Sequence, residues 1–129
     1  MSKDCTPKPR MLSVDDEEDF THILKQYFEP RGYDIDTAPD GEKALRMMRA
    51  ESYDVVLLDL KMVGLNGDEV MKEVKKIDPG TKVIFITAYS DFGKTKERLM
   101  AEGAYAFIEK PITSLKSLEE LVNKASGGA

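Results

Sequence analysis

The sequence predicts an α/β domain, a single parallel sheet with helices on both faces, and three observations carry that expectation. Short apolar runs rich in β-branched and aromatic residues alternate along the chain with stretches of helical periodicity. Capping residues and glycines fall between them where helices should start and stop. The length of 129 residues fits one domain and is too short for two.

In chain order, residues 1–9, with Pro7 and Pro9 among polar neighbours, read as a loose leader. One domain is expected over 10–125. It opens with a strand at Met11–Val14, then a helical stripe of Phe20, Ile23, Leu24, Tyr27 and Phe28 that ends before Gly32. A second strand is expected at Tyr33–Thr37. Asp40 then stands where an N-cap belongs, ahead of Ala44, Leu45 and Met48. The third strand, Val55–Leu58, leads to Asn66, which with Glu69 three residues on forms a capping-box pattern before Val70, Met71, Val74 and Ile77. Gly80 follows, then the fourth strand at Val83–Ile86. The second to fourth runs are read as apolar on both faces, as buried central strands are. Phe92–Glu102 is helical by position although its apolar face is thin, and Gly103 closes it. A fifth strand is expected at Ala104–Ile108. Thr113 or Ser114 caps a last helix with Leu115, Leu118, Leu121 and Val122 on one face. The tail, Ser126-Gly127-Gly128-Ala129 (126–129), is flexible in composition. Five strands alternating with five helices imply right-handed crossovers and a doubly wound sheet.

Composition narrows the function. A net charge of -5 argues against a direct nucleic-acid face, because phosphates attract basic surfaces. The single cysteine, Cys5, cannot form an internal disulfide, and no motif surrounds it. No apolar run approaches the ~20 residues that span a bilayer, and the N-terminus carries no secretory signal. A cytoplasmic, membrane-free protein is expected.

In a sheet of this kind ligands bind beyond the carboxyl ends of the strands. There the first strand runs into Asp15-Asp16, the third into Asp59, the fourth into Thr87, and the fifth into Lys110-Pro111. Each residue alone has a plain structural reading. Asp15 and Asp16 open an acidic run at a helix N-terminus, where the macrodipole favours carboxylates; Asp59 suits a turn, Thr87 a strand and Lys110 a surface. Together they place three acids, a hydroxyl and a lysine on one rim. Carboxylates ~4 Å apart at an effective dielectric near 20 repel by about 4 kcal/mol per pair. A divalent cation relieves that cost, and an all-oxygen set suits Mg²⁺. Glu17 and Glu18, one step further on, are expected to face solvent.

The combination SVDDEE, LLDLKM–GLNG, FITAY and FIEKP, in that order over roughly residues 10 to 125, resembles the response-regulator receiver family. The resemblance implies a flavodoxin-like sheet of strand order 2-1-3-4-5. It implies a signalling module and not an enzyme in its own right, switched when Asp59 accepts a phosphoryl group from a histidine kinase or phosphotransfer protein. It further implies Mg²⁺ held directly by Asp16, Asp59 and the backbone carbonyl of Lys61, with Asp15 acting partly through water. Thr87 and Lys110 would contact phosphoryl oxygens, Ala88 would leave room for the group, and Lys110-Pro111 would be a cis candidate. Phe107 is either a plain strand residue or an aromatic that turns inward on activation. Lys61 and Tyr89 would set phosphoryl lifetime. Homodimerisation would use the fourth helix, fifth strand and fifth helix. The chain departs from many relatives at Val63, where proline is common, and at Phe107, where tyrosine is.

Three other functions compete. A haloacid-dehalogenase-type phosphatase or phosphotransferase usually carries an aspartate two residues after its nucleophile, where this chain has Lys61. A flavin module needs a Ser/Thr-rich phosphate loop, and Asp15–Asp19 would repel the anion. A receiver that signals by contact without phosphorylation is the nearest rival, and the intact acidic, hydroxyl and lysine set counts against it. His22, the lone histidine, is expected on the surface or a docking face, and the seven methionines in the core.

Overall fold

The computed structural model describes residues 8–89, 91 and 93–127. Five strands form one parallel sheet in the order β2-β1-β3-β4-β5: β1 (Arg10–Val14), β2 (Asp34–Ala38), β3 (Val55–Leu58), β4 (Lys82–Thr87) and β5 (Ala106–Glu109). The helices are α1 (Glu18–Phe28), α2 (Gly41–Ala50), α3 (Gly67–Ile77), α4 (Lys94–Ala101) and α5 (Leu115–Ala125), with a 3₁₀ turn at Glu29–Arg31. This is the doubly wound, flavodoxin-like arrangement. Among the described residues, no helix is long and apolar enough to cross a membrane.

Strand side chains alternate between faces, so the sheet divides the interior into two cores. On one face Leu12, Val14, Val56, Leu58, Val83 and Phe85 pack with α2, α3 and Leu99 of α4. On the other, Met11, Ile35, Val55, Leu57, Ile84 and Ile86 pack with α1 and α5, through Leu24, Phe28, Leu118 and Val122.

The helix starts follow local chemistry. Asp40 accepts from the Lys43 N–H and Ser114 from that of Ser117, while Glu69 reaches back to the Asn66 N–H. Gly32 and Gly103 adopt left-handed φ of 93° and 118°. Gly80 does not, because Asp78 ends α3 and its side chain accepts the Gly80 N–H. α4 starts at Lys94, inside the expected range; Phe92 lies outside the described residues. β5 starts two residues late, since Ala104 N–H is still bonded to Leu99 of the preceding helix. Of the leader, Pro9 is buried and Lys8 lies over the Tyr33 ring; residues 1–7, including Cys5, lie outside the described part, as do 128 and 129.

Register brings the strand ends level. Val14 pairs with Ala38 and Leu58, Leu58 with Phe85, and Thr87 with Glu109. The pairing continues one step past the strands: Asp15 N–H donates to Ala38, Asp59 N–H to Val14, and Lys110 N–H to Thr87, at 3.1, 3.0 and 2.8 Å.

Candidate functional site

Those three hydrogen bonds set the backbone of the site, so its side chains leave the sheet from fixed points. Carboxylate oxygens of Asp15, Asp16 and Asp59 lie within 4.8 Å of one another. Asp15 and Asp59 are buried, 3% and 8% exposed, and Asp16 is exposed. Asp59, Asp16, Lys61, Thr87, Ala88, Tyr89 and Lys110 line one shallow cleft of about 410 Å³.

The Asp59 carboxyl is held above the ordinary carboxylate range. Burial is the main cause, because desolvation penalises the charged form, and the nearby Asp15 adds to it. The Thr87 hydroxyl, Lys110 and the Leu60 N–H pull the other way. Thr87 is 1% exposed, and its hydroxyl accepts the Tyr89 N–H at 3.1 Å, which ties the end of β4 to the loop after it. Lys61 Nζ lies 4.5 Å from the centre of the Tyr89 ring, so the two residues meet at the mouth of the cleft.

Lys110 donates to Asp15 Oδ2 at 2.9 Å and to Glu17 Oε1 at 2.6 Å, with the Phe20 ring 4.4 Å from its nitrogen. These opposite charges, together with hydrogen bonding, raise its pKa against the opposing effect of burial. The other Asp15 oxygen accepts the Glu17 N–H at 2.9 Å. The Lys110–Pro111 peptide is cis. Phe107 stands back from the cleft, half-buried against the core and 6.2 Å from the Phe85 ring.

Two residues take parts the sequence did not assign. Glu17, expected in solvent, is exposed but turns back to pair with Lys110. Gly67, the first residue of α3, lies directly beneath the acidic rim. A Cβ there would collide with the Asp59 carbonyl and come within 2.9 Å of Leu60 Cα. Its N–H also donates to the Leu60 carbonyl at 2.8 Å, locking α3 under the segment that presents Asp59. The GLNG turn was its only trace in the sequence. His22 is exposed on α1, away from the cleft.

The donor set suits a hard divalent cation: three carboxylates converge, offering oxygen ligands only. With a buried carboxylate, a hydroxyl and an ammonium around the same space, the arrangement suits acceptance of a phosphoryl group.

Known proteins resemble this chain over most of its length. The family model described as "Response regulator receiver domain" matches residues 11–123. The chain is 33% identical over 115 residues to sporulation initiation phosphotransferase F of Bacillus subtilis, covering 89% of this chain and 91% of that protein. It is 32% identical to transcriptional regulatory protein ZraR of Escherichia coli, of which it spans only 26%. Among solved structures, response regulator protein TrrA from Thermotoga maritima, in complex with Mg(2+)-BeF, is 37% identical with a TM-score of 0.78, covering 91% of this chain and 98% of that one. A Francisella response regulator receiver domain is 29% identical with a TM-score of 0.84, covering 93% and 98%.

Proposed function

The chain belongs to the response regulator receiver domain family, and on that premise we propose that it is a phosphorylation-dependent switch whose phosphoacceptor is Asp59. The carrying observation is the placement of Asp59. A largely buried carboxylate ends a central strand beside two further carboxylates, with Thr87 and Lys110 lining the same cleft.

On this reading an Asp59 carboxylate oxygen forms a bond to phosphorus while the phosphorus–nitrogen bond of a donor phosphohistidine breaks. The electron pair stays on the imidazole nitrogen. The donor is a histidine kinase or phosphotransfer protein. Asp16, Asp59 and the Lys61 carbonyl would hold Mg²⁺, with Asp15 acting partly through water, and the ion would supply positive charge to offset the carboxylates and the phosphoryl oxygens. The indirect role of Asp15 agrees with its hydrogen bonds, since both its oxygens already accept one, from Glu17 N–H and from Lys110. Thr87 donates to one phosphoryl oxygen and Lys110 to another, beside the small Ala88. Thr87 already holds the Tyr89 amide, so drawing its hydroxyl inward repacks the loop after β4. Phe107 follows that movement, and α4, β5 and α5 form the changed surface, through which two copies pair. Lys61 and Tyr89, in contact over the cleft mouth, restrict water and lengthen phosphoryl lifetime.

Incubation with Mg²⁺ and acetyl phosphate, followed by intact-mass measurement, tests this. Wild type gains one phosphoryl group and Asp59→Asn gains none. A gain that survives in the variant removes Asp59 from the role. No gain in wild type leaves a receiver that signals by contact alone.

A further inference from the structure

Lys110 is already engaged in the phosphoryl-free domain. Of its three donor protons, two are committed, and the shorter contact, 2.6 Å, is to Glu17, which is not one of the three clustered carboxylates. The Glu17 backbone is held in place: its N–H donates to Asp15, and its carbonyl accepts from Phe20 and Thr21. It occupies the N-cap position of α1 in an extended conformation, yet its side chain makes no cap hydrogen bond. That side chain is therefore not engaged in capping, and it folds onto the ammonium although 62% of it remains exposed.

We propose that Glu17 is a positioning residue: it holds Lys110 at the edge of the cleft and must release it before the ammonium engages a phosphoryl group on Asp59, and so slows phosphoryl acceptance. This rests on Asp59 as phosphoacceptor. Both backbones are anchored, Lys110 to Thr87 and Glu17 to Asp15, so the side chains alone make the exchange. The Asp15 contact is buried, with side-chain exposures of 12% and 2%, whereas the Glu17 contact opens to water. An ammonium turning toward an anion on Asp59 gives up the Glu17 contact first.

Two variants separate a direct hold from a mere field effect. Glu17→Gln removes the charge at constant length. Glu17→Asp keeps the charge but is one methylene too short to reach Lys110. Initial rates of phosphoryl incorporation from acetyl phosphate at saturating Mg²⁺ rise about two- to fivefold in both, the range for one partly exposed ion pair. In metal-free protein the ¹⁵N signal of Lys110 Nζ moves in both variants, with melting temperatures close to wild type. Glu17→Asp at the wild-type rate overturns the proposal, since charge without contact then suffices. So does an unmoved Lys110 signal. Wild type that takes up no phosphoryl group sinks the Asp59 reading itself, and this proposal with it, while the Lys110 signal still reports whether the contact exists.

Discussion

Asp59 concentrates the competing forces at the scale of single residues. Burial, with Asp15 beside it, raises its carboxyl above the ordinary range. A raised folded-state value means that the folded protein holds the proton more tightly than the unfolded chain does. The stability this group contributes is therefore lost as pH rises through the shifted range, and at neutral pH its charge works against the fold. Asp59→Asn should then melt higher than wild type at about pH 7 without metal, by roughly 4 °C for a gain of about 1 kcal/mol. The gain should vanish near pH ~3, where the carboxyl is protonated in both states. Added Mg²⁺ should stabilise wild type more than the variant, because ligands bind the folded state. Thr87→Ala should weaken binding of beryllofluoride, a phosphoryl mimic, by about tenfold, the worth of one hydrogen bond to a charged group, as read by calorimetry. Asp15, Asp16, Asp59, Thr87 and Lys110 were legible in the sequence because each stands at the carboxyl end of a strand or within two residues of it. Glu17 was not, since its partner lies 93 residues further along the chain.

At the scale of elements, α3 and α4 behave differently. α3 begins at Gly67, pressed against the backbone of Asp59 and Leu60. Gly67→Ala forces a Cβ onto main-chain atoms that cannot rotate away, and should cost about 2–3 kcal/mol while displacing the phosphoacceptor. Thermal melting together with phosphoryl uptake checks both effects. α4 buries only Leu99 and starts from the Asp91 carboxylate, which accepts from the Thr95 N–H and hydroxyl at 2.9 and 2.6 Å. Asp91→Ala should lower amide protection in α4 with little change in the melting temperature, because few core contacts depend on that helix. The thin apolar face of this stretch was visible in the sequence. Its first turn was not, because loop hydrogen bonds set it and periodicity does not.

At the scale of the whole molecule, one carboxylate joins distant parts of the chain. Glu119 of α5 accepts from the Tyr27 hydroxyl of α1 at 2.9 Å and from the Tyr33 hydroxyl, just before β2, at 3.0 Å. Glu119→Ala leaves the half-buried Tyr27 hydroxyl without its acceptor, while the Tyr33 hydroxyl keeps Asn123 Oδ1 at 3.0 Å, and should destabilise the domain by about 1–2 kcal/mol, readable as a lower denaturant midpoint with an unchanged slope. If α4, β5 and α5 carry the output, beryllofluoride with Mg²⁺ should increase the sedimentation coefficient as copies pair.

By itself the sequence determined the alternation of strands and helices, the doubly wound sheet and the acids, hydroxyl and lysine at its rim, because periodicity and strand-end position are local properties that covalent order carries. Tertiary structure alone decided that Glu17 turns back to Lys110 and that Gly67 must lack a side chain. Each of these depends on which atoms meet across the fold, and spacing along the chain does not record such distances.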